Sequence, residues 1–239
     1  MALPINSAPQ FSLKLPTTGE EYFFKPFLVK QEKALMLAMQ SEDQNNMVET
    51  LKNIVTECFN EKLDVNKISM VDLEYIFLQL RGKSVGELVD LTMKCEKCDP
   101  EDKNARVKMQ LNLNEIPVIY PDNDPKIHLW DDVGVVMKYP TLEIMQKMDA
   151  NTMQSEEGMY DVIRSCAEYV YSGDEVFNVA QETPAEFKNF LDNLTNEQFK
   201  KIQAFFENMP KLSKEIVYDC PVCGHHHEKR LEGLNSFFS

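Results

Sequence analysis

Apolar residues recur at helical spacing between residues 27 and 94. The clearest run places apolar side chains three, four and seven positions after the first, at Leu73, Ile76, Phe77 and Leu80. This spacing is typical of one face of an α-helix. Ser84 and Glu87 then form the pattern of a capping box, which usually marks a helix N-terminus. We therefore predict a helical domain over residues 27–94 that ends in a short helix running to Met93.

Residues 1–26 combine prolines with large apolar side chains. The prolines interrupt any helix and are Pro4, Pro9, Pro16 and Pro26. The apolar residues exceed what a disordered tail normally holds and are Phe11, Leu13, Leu15, Tyr22, Phe23 and Phe24. We predict an extended N-terminal arm that packs either on the body of the protein or on a neighbouring subunit.

Polar and apolar residues alternate with a period of two from residue 105. In residues 105–111 the apolar odd positions alternate with Arg106, Lys108 and Gln110, as expected for a half-buried strand. Apolar residues within 127–137 indicate one or two further strands after a proline-rich turn. Residues 95–139 are therefore predicted to contain β-strands next to a first pair of cysteines.

Helical spacing returns between residues 140 and 212. One helical stripe consists of Tyr160, Ile163, Ala167 and Val170. Two capping boxes predict helix N-termini, and they are Thr183 with Glu186 and Thr195 with Gln198. We predict a helical insertion over residues 140–212. In residues 213–239, short strands at 214–219 and 227–231 are expected to flank a second pair of cysteines.

Composition and charge narrow the class of protein. The chain has 239 residues, of which 43% are hydrophobic and 27% charged, as is usual in globular proteins. A net charge of −14 repels polyanions, which makes nucleic acid an unfavourable partner. The N-terminal segment lacks the pattern of a signal peptide, and no segment approaches the ~20 apolar residues of a membrane span. We therefore expect no association with a membrane.

Four cysteines form two Cys-x-x-Cys pairs, Cys95 with Cys98 and Cys220 with Cys223. A two-residue gap in a tight turn lets both thiolates bind one ion, and paired thiols of a cytosolic protein more often bind metal than form disulfides. Gly224 permits the backbone angles that such a turn requires. We predict one structural Zn²⁺ bound by all four cysteines. The predicted fold class is α+β, with an N-terminal helical part and a zinc-ribbon-like β part that carries a helical insertion.

The sequence predicts no enzymatic activity. Four thiolates fill a tetrahedral zinc site and leave no position for water or substrate. Phe77 occupies the place of the first glycine of a phosphate-binding loop, and the common hydrolase and metalloprotease patterns are missing. We therefore predict no catalytic residues, no small-molecule substrate and no cofactor besides zinc. Cys58 and Cys166 lie on apolar helical stripes and are predicted core residues.

Two alternatives stay open from the residues alone. His225 or His227 could replace one thiolate at the metal, although exposed histidines beside a turn with a full cysteine set are the simpler interpretation. Zinc ribbons also occur in nucleic-acid-binding proteins. The lysines and arginines near the cysteine pairs are offset here by nearby acidic residues, so this function is an alternative and not the preferred prediction.

Several sequence blocks occur here in the order typical of one protein family. They are residues 25–33, residues 72–77 with 80–87, the first cysteine pair, residues 138–141 and the terminal residues 220–225. In this combination the chain resembles the baseplate hub subunit family of T4-like contractile-tailed bacteriophages. The resemblance extends from about residue 20 to the C-terminus.

The resemblance implies a structural or assembly protein of the phage tail, with no enzymatic activity. Its expected partners are other baseplate and hub proteins. Its expected location is the tail baseplate of the virion, and the host cytoplasm during assembly. An alternative is a transient hub-assembly chaperone that is absent from the mature virion.

Overall fold

A computed structural model describes residues 9–40, 44–60, 62–99, 101–121, 123–147 and 155–237. These residues contain both helices and strands throughout, which confirms the predicted α+β class. The chain divides into two compact units. Unit 1 comprises Met1–Val65, Val71–Ile119 and Lys211–Ser239, and unit 2 comprises Asn66–Met70 and Tyr120–Pro210. Every helix in the described ranges is too short or too polar to cross a bilayer.

The described part of the predicted N-terminal arm, residues 9–26, contains a β-hairpin in unit 1, and residues 1–8 lie outside the described ranges. Strand β1 (Phe11–Lys14) pairs antiparallel with β2 (Glu21–Phe24). The turn is closed by the amide of Gly19, which donates to the carbonyl of Leu15 at 2.8 Å. Leu15 is buried, as are Leu13 and Phe24. Of the two arrangements left open by the sequence, the structure therefore has the arm packed on the body of the protein.

Two contacts hold this hairpin against the rest of unit 1. The ring of Phe24 stacks on that of Phe59 with 5.5 Å between centroids. In the turn, the amide of Thr17 donates to the buried carboxylate of Asp72 at 3.0 Å, and the Thr17 hydroxyl donates to the same carboxylate. Hydrogen bonds to a charged, buried acceptor are among the stronger ones. The hairpin is thus fixed both by aromatic packing and by a polar anchor.

Helices follow the hairpin, and they are α1 (Val29–Gln40), α2 (Gln44–Cys58) and α3 (Met70–Ser84). The predicted stripe on α3 is fully buried at Leu73, Ile76 and Leu80. The helical spacing read from this part of the sequence is therefore confirmed.

The predicted short helix from Ser84 to Met93 is wrong. Ser84 ends α3, where its hydroxyl donates to the carbonyl of Leu80 at 2.6 Å and accepts from the amide of Phe27. Strand β3 (Leu88–Lys94) follows and pairs antiparallel with β4 (Arg106–Asn112). Inward residues alternate with exposed ones along β3, because the segment has the period of a strand. The capping-box pattern here coincides with a helix end.

A second group of strands completes unit 1. Strand β10 (Lys211–Asp219) pairs with β11 (His226–Glu232) on one side and with β5 (Val118–Ile119) on the other. The predicted hairpin around the second cysteine pair is therefore present, with longer strands than expected. It leads into the one-turn helix α8 (Leu234–Phe237), whose last residue is fully buried.

Unit 2 is built on an antiparallel sheet. Among its described residues, the strand order is β6 (Lys126–Trp130), β7 (Val133–Met137), β8 (Ala167–Ser172) and β9 (Glu175–Asn178). The same described part of unit 2 contains the helices α4 (Leu142–Lys147), α5 (Glu156–Cys166), α6 (Pro184–Asp192) and α7 (Asn196–Glu207). Sheet residues Ile127 and Val135 share a core with Phe187 and Phe205 from the helices. The segment predicted as a helical insertion therefore also contributes two strands.

The capping boxes of unit 2 are confirmed, whereas one helical stripe is wrong. Thr183 and Thr195 each cap a helix through reciprocal bonds with Glu186 and Gln198 respectively. The stripe that was expected to continue to Val170 ends with α5 at Cys166. Strand β8 follows at once, and its residues Tyr169, Val170 and Tyr171 have the aromatic and β-branched side chains that favour strands.

Candidate metal centre

The two cysteine pairs lie in the turns of two different hairpins of unit 1. Cys95 and Cys98 follow β3 and precede β4, and Cys220 and Cys223 lie between β10 and β11. The structure brings all four together, with their Sγ atoms within 4.8 Å of one another. Residues separated by more than a hundred positions in the sequence therefore form one cluster.

Backbone hydrogen bonds shape each turn around its sulfurs. In the first turn, the amide of Cys95 donates to the carbonyl of Ala105 at 3.1 Å, and the amide of Lys97 donates to Cys95 Sγ at 3.4 Å. In the second, the amide of Gly224 donates to the carbonyl of Cys220 at 2.9 Å. Gly224 has a φ of 69°, in the left-handed region that glycine adopts without strain. The expected role of this glycine is confirmed.

The sulfur spacing matches a tetrahedral thiolate site. Cys95 Sγ lies 3.7 Å from Cys223 Sγ, and Cys98 Sγ lies 3.8 Å from Cys220 Sγ. A tetrahedron with a Zn–S bond of about 2.3 Å has edges of about 3.8 Å. These two separations are close to the edge of such a tetrahedron, so the four side chains could hold one metal ion with sulfur ligands alone.

Two thiols of the cluster have pKa values shifted in opposite directions. Backbone amides of Cys223 and Val222 lower the pKa of Cys220 to about 7. Hydrogen bonding to the Cys223 thiol, followed by burial, raises the pKa of Cys98 above its usual value. Four sulfurs in such close contact resist becoming four thiolates unless a cation balances their charge. The electrostatics therefore favour binding of a positive ion.

His227, one of the two histidines that the sequence left as possible ligands, lies beside the cysteine cluster. Its side chain is buried, with Nε2 at 3.2 Å from Cys95 Sγ, and its ring stacks on Tyr218 at 4.7 Å. His225 and His226 are exposed, as expected, so the expectation of exposure is wrong for His227 alone. The alternation of β11, in which Leu231 also faces inward, is the signal that could have identified it.

The sequence is similar to a known protein family over almost its whole length. The family model described as T4 bacteriophage base plate protein matches residues 8–239, and these include all four cysteines. The chain belongs to this family. No curated protein and no solved structure matches the sequence.

Family membership gives the baseplate protein a general role. A baseplate is part of the phage tail, so this membership implies a location in the virion tail and contacts with other baseplate proteins. It is also consistent with a structural role. The predicted membership of a T4-like phage baseplate family is therefore confirmed.

The remaining cysteines of the baseplate protein lie outside the cluster. Cys58 and Cys166 are buried in unit 1 and unit 2 respectively, and burial raises the pKa of each thiol to about 12. They belong to apolar surroundings, as predicted, and are poor nucleophiles and poor metal ligands at neutral pH. They therefore provide internal controls for experiments on the other four.

Proposed function

We propose that this protein is a non-catalytic structural subunit of the central baseplate hub, stabilised by one Zn²⁺ bound to Cys95, Cys98, Cys220 and Cys223. The observation that carries the proposal is the cluster of four cysteine sulfurs, all within 4.8 Å of one another, in a chain of the baseplate family. The protein would be made in the host cytoplasm and remain in the virion tail.

Zinc is the metal that best fits an all-sulfur tetrahedral site in a protein of this kind. Soft thiolates select zinc, copper(I) or iron–sulfur clusters, and zinc has no redox chemistry to complicate a structural role. Four thiolates complete its coordination, so bound water cannot be activated. A closed site of this composition supports a non-enzymatic function.

The proposed zinc links two small hairpins into one zinc-ribbon-like part. The β3–β4 hairpin is a two-stranded sheet on its own, and isolated two-stranded sheets are marginally stable in water. Structural zinc contributes on the order of 10 kcal/mol in small domains. The ion would therefore hold the β10–β11 hairpin against the β3–β4 hairpin, and it would keep the surrounding surface rigid for contacts with neighbouring subunits.

The hub location is supported by the ordered sequence blocks that resemble hub subunits. Mass spectrometry of purified phage particles tests it. We expect peptides of this chain in mature particles, in a constant ratio to other baseplate proteins. Its presence in assembly intermediates and absence from mature particles would contradict a resident subunit and support a transient chaperone.

His227→Phe is expected to weaken zinc binding by about 10- to 100-fold. Phenylalanine keeps a ring that can stack on Tyr218 but removes the Nε2 atom beside Cys95 Sγ. An imidazole N–H at this position stabilises the thiolate and orients it toward the metal.

Competition with a chromogenic chelator measures this effect. His226→Phe is the matched control, because His226 is exposed and faces Asp219 at 2.7 Å instead of a cysteine. Its zinc affinity should stay near that of the unaltered protein. Equal affinities for the His227 and His226 variants would exclude a role for His227 at the metal.

A further inference from the structure

Strand β9 leaves an open edge on the sheet of unit 2. It pairs with β8 alone among the described strands, and all four of its residues are exposed. Val176 and Phe177 are 63% and 42% exposed. Natural proteins usually protect such edges with lysine, proline or a bulge. β9 has the sequence Glu-Val-Phe-Asn and pairs with β8 without a register shift. It therefore lacks lysine, proline and a bulge, and its short length and Glu175 are the protection that it does have.

The backbone of Val176 points toward this open edge. The amide of Val179 donates to the carbonyl of Glu168 at 3.1 Å. Hydrogen-bonded and non-hydrogen-bonded pairs alternate along antiparallel strands, so the pair of Val176 with Tyr171 is of the second kind. The N–H and C=O of Val176 therefore point away from β8, in the geometry that accepts an added strand.

An apolar groove begins beside the same strand. It lies between the sheet and α6, has a volume of about 350 Å³, and is lined by Trp130, Val133, Val170, Phe177, Phe187 and Phe190. Phe177 belongs both to the groove and to the open edge. Phe187 and Phe190 contact each other at 5.9 Å, and Trp130 lies 6.4 Å from Phe190. The groove has room for a large apolar side chain.

The surroundings of the groove are acidic. Glu182 and Glu186 lie in its lining, which contains no lysine or arginine. At the same end of the sheet, the amide of Gly173 donates to the carbonyl of Asp132 at 3.0 Å, and Asp174 and Glu175 follow in sequence. Unit 2 as a whole has seventeen acidic and eight basic residues. The nearby cation Arg164 is engaged with the carbonyl of Glu182. This charge favours a basic partner.

We propose that β9 and this groove together bind an extended segment of another baseplate protein. The segment adds as a strand beside β9 and inserts a large apolar side chain into the groove. A lysine or arginine next to that side chain faces the acidic rim. The site depends on family membership, and not on the zinc or on the hub location, so it is tested separately from both.

Binding of fluorescent peptides tests the proposal on the full-length protein. Short overlapping peptides that cover the other baseplate proteins of the same phage serve as probes. Bound peptides should contain an aromatic or large aliphatic residue beside a basic one. They should also shift the emission of Trp130, the single tryptophan of the chain, because it lines the groove.

Three variants should each weaken binding of such a peptide by about tenfold or more. Phe177→Asp places a charge at the groove, Val176→Pro removes the outward N–H without removing a bond to β8, and Glu182→Lys reverses the charge of the rim. Leu88→Asp is the control, because Leu88 is a similarly exposed apolar residue (57%) in strand β3 of unit 1. Circular dichroism checks that each variant is folded.

The outcomes separate the possible occupants. Loss of binding in folded Val176→Pro and Glu182→Lys variants, with binding retained by Leu88→Asp, supports the proposal. It is overturned if none of the peptides binds, or if the variants bind as well as the unaltered protein. Sedimentation that shows a dimer dissociated by these substitutions would also overturn it, since a second copy of the chain would then occupy the edge.

Discussion

Cys220→Ser is expected to abolish stoichiometric zinc binding and to unfold the β10–β11 hairpin. Cys220 Sγ is buried and lies 3.8 Å from Cys98 Sγ across the cluster. Serine is not a zinc ligand of comparable strength. Loss of the Cys220 thiolate leaves three thiols that cannot complete the tetrahedron. With a structural zinc contribution on the order of 10 kcal/mol, the hairpin should lose its attachment to the β3–β4 hairpin.

Zinc analysis and limited proteolysis measure the two effects. The unaltered protein should hold about one zinc ion per chain, and the variant should hold almost none and be cleaved rapidly near its C-terminus. Cys166→Ala is the matched control, because Cys166 is equally buried but lies outside the cluster. Unchanged zinc content and unchanged cleavage in the Cys220 variant would refute the proposal that zinc links the two hairpins.

Phe24→Ala is expected to lower the free energy of unfolding by about 3–5 kcal/mol. Phe24 is 1% exposed, stacks on Phe59 at 5.5 Å and contacts Phe11 at 5.9 Å. Removing its ring leaves a cavity between the N-terminal hairpin and α2, and the fixed backbone limits how far that cavity can collapse. The loss should thus exceed that of an average core substitution.

Urea unfolding followed by far-ultraviolet circular dichroism checks this prediction. Phe23→Ala is the control, since Phe23 is the preceding residue on the same strand but is 54% exposed. Its effect should not exceed about 0.5 kcal/mol. If both substitutions caused an equally small loss of unfolding free energy, the hairpin would not be part of the folded core.

The four-cysteine cluster could be predicted from sequence because its signals are local. Each Cys-x-x-Cys pair, with Gly224 after the second, defines a turn on its own. Both turns are flanked by residues that alternate as strands do. The contact between the two pairs is long-range. It could be predicted only because a tetrahedral zinc site needs four thiolates. The sequence named both His225 and His227 and favoured exposure for both, because burial depends on which face of β11 meets the other hairpin.

Other parts of the fold depend on contacts that no local pattern contains. Ser84 and Glu87 have capping-box spacing, yet Ser84 instead bonds Leu80 at the end of α3 and receives the amide of Phe27 from the N-terminal segment. The stripe from Tyr160 to Val170 has helical spacing across a helix that ends at Cys166. In both cases the sequence also permits a strand, and tertiary pairing decides between them.

The sequence also could not decide what the N-terminal hairpin packs against. Its aromatic residues were compatible with packing on the body or on another subunit. The pairing of Phe24 with Phe59 and of Thr17 with Asp72 decided between these arrangements. The aromatic surface that we propose for contacts with another protein lies instead at Phe177 and the groove of unit 2, beside the edge strand β9.

X-ray absorption at the zinc edge of the purified protein most directly tests the proposal that four cysteine thiolates bind one zinc ion. The expected result is one shell of four sulfur atoms at about 2.3 Å, with no nitrogen neighbour. A shell that includes nitrogen at about 2.0 Å would place a histidine on the metal and contradict the four-cysteine assignment. Protein that is folded but holds no stoichiometric metal would contradict the proposal that a structural zinc links the two hairpins.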